Sequence, residues 1–227
     1  MISLQPQRID LQDRIDSATR LIDATHQTTA TPAAGVTANP ISREARGLAI
    51  VLLFAAYENL LRSTTRTLLE AAIRLRVGNR RLRPGLRTFA LFSSVQSVRS
   101  MSEKRLYSDG LPKLILAADP GGRICTIDSD RFPTDGSFMR SSQIVLWCKV
   151  FDLPHPASIL RRTWTAVDTI VVQRNEIAHG GQTADLVGRN YSEAEVRQLI
   201  SDWRDDWLDF LDIVEQKGST RDFYRIP

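Results

Sequence analysis

The sequence predicts an all-α protein, an antiparallel bundle of about five to seven helices. Three observations lead to this class. Apolar residues recur at helical spacing through most of the chain. One such stretch, from Ser42 to Val77, is long enough for a helix that crosses a whole domain. The stretch near the C-terminus opens with a helix-start signal and then keeps one apolar face.

The first half of the chain supplies two or three of these helices. An amphipathic helix is expected over Ile9–His26, and the Thr-, Ala- and Pro-rich residues 27–40 predict a surface loop. Ser42 is the candidate N-cap of the long helix, and Gly78-Asn79 is expected to end it. The stretch Leu86–Met101 predicts another helix.

Residues 107–140 form the irregular part of the chain. They hold turn signals such as Asp109-Gly110 and Pro133–Gly136. Short apolar runs, Leu114–Ala117 and Ile124–Ile127, lie between these signals. A small hairpin or an ordered insertion is compatible with this pattern.

The second half predicts three more helices. A short one is expected at Ser141–Phe151, and another is expected from about Ser158 to residue 179. The last opens with Ser192–Glu195, which matches a capping box. Trp203 and Trp207 share its apolar face, so we interpret them as core or dimer-contact aromatics rather than a base-stacking platform.

Composition indicates one ordinary globular domain over residues 1–227. The chain has 42% apolar and 25% charged residues, which are usual values for a soluble protein. Cys125 and Cys148 form no CxxC pair, and the first eight residues hold no apolar signal-peptide region. The longest apolar run, Gly47–Tyr57, is far shorter than a bilayer span. We therefore expect a cytoplasmic protein that does not bind membranes.

Charge is distributed unevenly. Residues 61–105 carry eleven basic and two acidic side chains, whereas residues 192–217 carry eight acidic and three basic ones. Ten of those eleven are arginines, which suit bidentate contacts with phosphate. RNA is the partner we expect, and a solvated, partly salt-bridged helix surface is the alternative. The candidate RNA contacts are Arg62, Arg66, Arg74 and Arg76.

The most informative segment is Arg174-Asn175-Glu176-Ile177-Ala178-His179, which Gly180-Gly181 follow. Positions five apart lie roughly 140° apart around a helix, whereas Asn175 and His179 share a face. The long Arg174 side chain is able to swing toward that face and complete a polar cluster. Gly180 suits the residue that releases the chain from the helix. The simpler interpretation is ordinary chemistry at a helix C-terminus.

Other catalytic chemistries lack their motifs. The three histidines, His26, His155 and His179, lie on separate segments without an HExxH pattern, so we expect no metal site. The sequence has no P-loop frame and no GxSxG elbow in hydrolase order. We expect no cofactor, which leaves metal-free acid–base chemistry around His179.

The segment from Arg174 to Gly180 resembles the Arg-Asn-x-x-x-His signature of the HEPN superfamily of helical ribonucleases. Within it the chain is similar to the RiboL-PSP-HEPN group. Tyr57–Leu61 in the long helix and Ser142–Leu153 before the motif fit the same order of elements. The resemblance covers roughly residues 40–215, and its one specific part is the motif.

The resemblance implies an activity and a site. The activity is metal-independent endoribonuclease cleavage that leaves 2′,3′-cyclic phosphate and 5′-hydroxyl ends, at a composite site on a homodimer interface. Arg174 would stabilise the phosphate, His179 would act as general acid and base, and Asn175 would orient the pair or the ribose. Glu58 is a further candidate, which would pair with Arg174 or hydrogen-bond His179, or alternatively stabilise its own helix. A toxin or phage-defence role, restrained by an antitoxin or another regulatory protein, follows from the family.

Two alternatives belong to other classes. The first is a non-catalytic dimerisation or regulatory module that partners another protein, such as a nucleotidyltransferase. The second is an RNA-binding protein that uses its arginine-rich helices without cleaving; its binding would be salt-sensitive and unchanged by His179→Ala.

Overall fold

The structure is a computed structural model that describes residues 2–26, 40–118 and 127–226. Within these ranges every regular element is helical, apart from isolated bridge residues such as the pair Leu82 and Arg225. The predicted all-α class is therefore confirmed. The helices are α1 (Gln5–His26), α2 (Pro40–Arg74), α3 (Pro84–Arg99), α4 (Glu103–Arg105), α5 (Leu111–Ala118), α6 (Ser141–Val150), α7 (Val167–Ala178), α8 (Ala184–Gly188) and α9 (Glu193–Gly218).

Helix α1 runs antiparallel to both α2 and α9. Near its start, the Gln7 side chain donates a hydrogen bond to the hydroxyl of Thr67 at 2.9 Å, late in α2. At its other end, the carbonyl of Thr25 accepts from the hydroxyl of Ser42, early in α2. On the α9 side Arg8 pairs with Asp212 at 2.6 Å. Charged pairs such as this fix the register of α1 more than they stabilise the fold, because each is partly exposed.

An aromatic cluster joins α2 to α9. Tyr57 stacks on Trp207 with 5.4 Å between ring centroids and meets Trp203 edge-on at 5.6 Å. All three rings are fully buried. The core interpretation of both tryptophans is confirmed, and neither indole face is open to a nucleic acid base. The capping box at Ser192 is also confirmed, with both of its hydrogen bonds formed.

The predicted limits of the long helix were wrong at both ends. Helix α2 begins at Pro40, so Ser42 is not its N-cap. Proline is well suited to a first turn because the amide it lacks would have no helical partner there. The helix ends at Arg74 rather than Val77, and Arg76 adopts a left-handed backbone with φ 51°.

A continuous helix from about Ser158 to the motif was also a wrong prediction. The segment forms two short 3-10 turns, Pro156–Ser158 and Trp164–Ala166, and α7 begins only at Val167. The buried carboxylate of Asp206 accepts hydrogen bonds from the amides of Arg162 and Thr163 at 3.0 and 2.9 Å. A side chain on a distant helix therefore takes backbone donors that a helix would otherwise use.

The irregular part of the chain is more helical than expected. Leu114–Ala117, one of the runs considered for a hairpin, lies inside α5. Most of the other run, residues 124–126, lies outside the described residues, as does Cys125. Residues 127–140 have no regular secondary structure and lead into α6.

Helix α8 had no sequence prediction, and it packs tightly against α2. A Cβ atom on Gly47 would overlap the carbonyl of Ala184, and one on Gly188 would overlap the carbonyl of Arg43. The two glycines let the backbones meet, which places the segment after the motif against α2. None of the described helices combines the length and the apolar character that crossing a bilayer requires.

Candidate active site

The motif occupies the C-terminal end of α7, which packs on α2 and buries Val167, Ile170 and Val171. The helix ends at Ala178, and His179 is its C-cap. Gly180 follows with φ 75°, a left-handed conformation that is common where the chain leaves a helix, as was expected at this glycine. The chain therefore leaves the helix directly after His179.

Arg174 turns inward from α7. Its guanidinium carbon lies 4.4 Å from the centroid of the Phe54 ring on α2. Its Nη1 donates a hydrogen bond to the side-chain oxygen of Asn175 at 2.9 Å. The side chain is half-buried, and it forms no ion pair with any described carboxylate. The cation is held by an aromatic face and a neutral amide, so its charge is available to an anion.

His179 lies apart from that contact within one protomer. The residue is exposed, and its amide donates to the carbonyl of Asn175 at 2.9 Å. Its imidazole hydrogen-bonds to none of the described residues. The structure thus brings Arg174 and Asn175 together and leaves the His179 ring facing solvent at the helix end.

Arg174 lines a cavity of about 330 Å³ between α2, α7 and the loop before α6. The cavity wall combines aromatic and charged side chains; among them are Phe54, Phe132, Phe138, Glu58, Arg62 and Arg174. His179 is not part of this wall.

Glu58 and Arg62 form one side of the cavity. The Glu58 carboxylate accepts from Nε and Nη2 of Arg62 at 3.3 and 3.2 Å, one helical turn along α2. The partner of Glu58 in this structure is therefore Arg62, rather than Arg174 or His179. The Arg62 guanidinium also lies 5.2 Å from the centroid of the Phe132 ring.

Tyr57 holds the loop before α6, which lines part of this cavity. Its hydroxyl donates to the carbonyl of Met139 at 2.6 Å, in a buried position. Burial raises the pKa of Tyr57 far above its usual range, and the nearby Glu58 and Asp168 carboxylates raise it further, against an opposing effect of Arg174. Tyr57 therefore remains a neutral donor that ties the loop before α6 to the core.

The other candidate RNA contacts differ in how far they are neutralised. Arg66 pairs with Asp130 at 2.7 Å and with Glu70 at 3.7 Å, and Arg74 also pairs with Glu70. Arg76 is exposed and forms no ion pair with a described residue. The salt-bridged alternative thus describes Arg66 and Arg74. It does not describe Arg76, and Arg62 reaches the cavity of Arg174.

Sequence reasoning missed the aromatic part of the site. Phe132 and Phe138 stand in the segment considered for a hairpin or an insertion, and nothing in their spacing links them to α7. The sequence feature that could have indicated these residues is the turn at Pro133–Gly136, which lies close to both phenylalanines. After this turn Phe138 and Met139 have φ angles of 54° and 71°, a left-handed conformation that bulky side chains rarely adopt.

No cluster of three or more His, Cys, Asp or Glu side chains suited to a metal ion occurs in the part of the chain that the structure describes. Comparisons with known protein families, with curated proteins and with solved structures each find no match to this chain.

Proposed function

We propose that the protein is a metal-independent endoribonuclease of the HEPN type, with a composite active site at a homodimer interface. The observation that carries the proposal is the state of Arg174. A half-buried guanidinium without a carboxylate partner among the described residues opens a motif that ends in an exposed imidazole. A cation in such a place is suited to a phosphate.

The reaction requires few groups. A base takes the proton of the ribose 2′-hydroxyl, the resulting oxygen attacks the adjacent phosphorus, and an acid protonates the leaving 5′-oxygen. The imidazole of His179 is suited to either role, whereas the guanidinium of Arg174 stabilises the negative charge that grows on the phosphoryl oxygens. Asn175 holds one nitrogen of Arg174 and so orients its planar fork.

A second copy of the chain supplies what one copy lacks. The acid and the base stand on opposite sides of an in-line phosphate, so one imidazole cannot occupy both places. Helix α7, which carries the motif, contacts α2 and α8, and each of the three helices has an exposed apolar side chain, namely Leu48 of α2, Val172 of α7 and Leu186 of α8. A two-fold contact over this face would bury them and bring two motif ends together.

The test is incubation of the purified protein with a mixed-sequence RNA in EDTA. We expect cleavage into fragments with 2′,3′-cyclic phosphate ends, at a rate that Arg174→Ala and His179→Ala each reduce by about a hundredfold or more. Cleavage that disappears on chelation, or that survives both substitutions, would contradict the proposal. A toxin or phage-defence role remains an implication of the family resemblance alone.

A further inference from the structure

The cavity beside Arg174 contains more aromatic surface than phosphate binding needs. Phe54, Phe132 and Phe138 all line it, and Phe138 is 80% exposed. An exposed ring of this size at the mouth of a cavity adds nothing to the core, since its faces contact water. Its position beside two arginines therefore calls for a ligand that is both planar and anionic.

The backbone holds the Phe138 ring at this place. Phe138 and Met139 share the left-handed conformation, which costs on the order of 1 kcal/mol or more for each non-glycine residue. Hydrogen bonds fix the segment on both sides, from the Tyr57 hydroxyl to the carbonyl of Met139 and from the Ser137 amide to Asp135 at 2.8 Å. Such strain persists only where the surroundings impose it, and it is concentrated at functional sites.

The geometry points to a nucleobase subsite in which Phe138 stacks on an unpaired base of the RNA whose phosphate Arg174 contacts. This inference rests on the proposed function for the identity of the ligand. Aromatic stacking accepts every base, because every base has a flat face, and it occurs where single strands are bound. Arg62, which lies over Phe132 at the same cavity, provides a second cation for the backbone of the strand.

Glu58 gives the subsite a preference among bases. Its Oε1 accepts from Arg62, whereas its Oε2 has no hydrogen-bond partner among the described residues. A carboxylate oxygen is an acceptor for an exocyclic amino group, and it repels the carbonyl oxygens of uracil. Cytosine, adenine or guanine is thus favoured over uracil at this position.

The experiment measures binding separately from cleavage. The probes are fluorescent 2′-O-methyl hexanucleotides, which lack the attacking hydroxyl and differ only in one central base. Phe138→Ala is expected to weaken binding about tenfold, because a stacked base is lost, whereas Phe138→Trp is expected to retain it. The matched control is Tyr107→Ala, which removes another exposed ring, 72% accessible, outside the cavity.

The outcomes separate this inference from the proposed function. Phe138→Ala binding that equals the wild type, or an equal loss in Phe138→Trp or Tyr107→Ala, would overturn the subsite even if the wild type cleaves RNA. If the protein cuts no RNA but its affinity for the probes still depends on Phe138, the subsite is supported and the proposed nuclease activity is contradicted. Phe138→Gly is the control for misfolding. It removes the ring, and glycine adopts the left-handed backbone without strain, so we expect weak binding and no loss of thermal stability.

The preference has its own readout. In the wild type, the probe with central cytosine should bind several-fold more tightly than the probe with central uracil, and Glu58→Gln should reduce this ratio toward one. An unchanged ratio in Glu58→Gln would remove Glu58 from the subsite.

Discussion

The arginines of α2 differ from Arg174 of α7 in their exposure and in the groups that their guanidinium contacts. Arg66 and Arg74 are exposed and lie against carboxylates, with Glu70 shared between them. Arg174 is half-buried and rests on Phe54 and Asn175, with no carboxylate partner in the described part of the chain. Arg66 and Arg74 are thus paired with carboxylates, whereas the single arginine of the motif is not.

This difference shows that the number of arginines does not by itself decide how much positive charge an RNA phosphate can use. A count over residues 61–105 gives a net charge of +9, but Arg66 and Arg74 within it lie in exposed ion pairs, each worth about 0–1 kcal/mol. Such arginines attract RNA weakly and at long range. Arg174 already contacts an aromatic face and an amide, so it has little to rearrange when a phosphate arrives.

The largest expected effect is therefore the contrast between Arg174→Lys and Arg66→Lys. Lysine keeps the charge but loses the planar fork, so Arg174→Lys should reduce the rate of RNA cleavage by roughly a hundredfold. Arg66→Lys should change it by less than about twofold, because its charge serves only at long range. Initial rates on one RNA in EDTA measure both, and equal rates for the two variants would break the comparison.

The next effect concerns the loop before α6, which lines the cavity of Arg174. Tyr57→Phe removes the hydroxyl that donates to Met139, and it leaves a buried carbonyl without a donor. We expect the free energy of unfolding in urea to fall by about 1–3 kcal/mol. Tyr107→Phe, at an exposed ring, is the control and should change it by less than about 0.5 kcal/mol. Equal midpoints for the two variants would show that the loop does not depend on this bond.

A smaller effect is expected when the paired arginines of α2 lose their shared carboxylate. Glu70→Gln removes the carboxylate shared by Arg66 and Arg74, so it should strengthen RNA binding a few-fold at low salt and steepen its salt dependence. Asp212→Asn, which frees Arg8 at the contact of α1 with α9, is the control. Fluorescence anisotropy over a range of salt concentrations measures both, and an unchanged affinity in Glu70→Gln would mean that pairing does not limit this surface.

The smallest effect is on pH dependence. Burial raises the pKa of Asp135, but hydrogen bonds from Ser137 and Ser142 outweigh it and hold that pKa below its usual range. A depressed pKa in the folded state contributes stability that is present above the unfolded pKa of about 4 and is lost as the pH falls through the folded value.

Asp135→Asn should consequently be less stable than the wild type at pH 7, and the difference should shrink as the pH falls below about 4. Thermal unfolding across this range measures the difference. A gap that stays constant with pH would show that the carboxylate charge does not anchor the loop that carries Phe138.

The sequence predicted the parts that depend on local pattern. Helix α1, the capping box at Ser192 and the helix end before Gly180 follow from spacing and turn chemistry over a few residues. The parts that depend on distant contacts could not be predicted in this way. Asp206 binds two backbone amides more than forty residues before it in the chain, in a segment where a continuous helix was expected. Tyr57 places Phe138 beside Arg174 through a bond to Met139. Both are tertiary effects that override local propensity.

The most direct test of the composite site is the dose response of wild-type cleavage to added His179→Ala protein, after the subunits have exchanged. If one site needs an imidazole from each protomer, about a tenfold excess of this variant leaves few wild-type dimers and should lower the cleavage rate about tenfold. The same excess of a His179→Ala/Val172→Glu variant, which should not dimerise through the apolar face, should have no effect. A wild-type rate that stays constant as His179→Ala is added would contradict the account, because each protomer would then cut RNA alone.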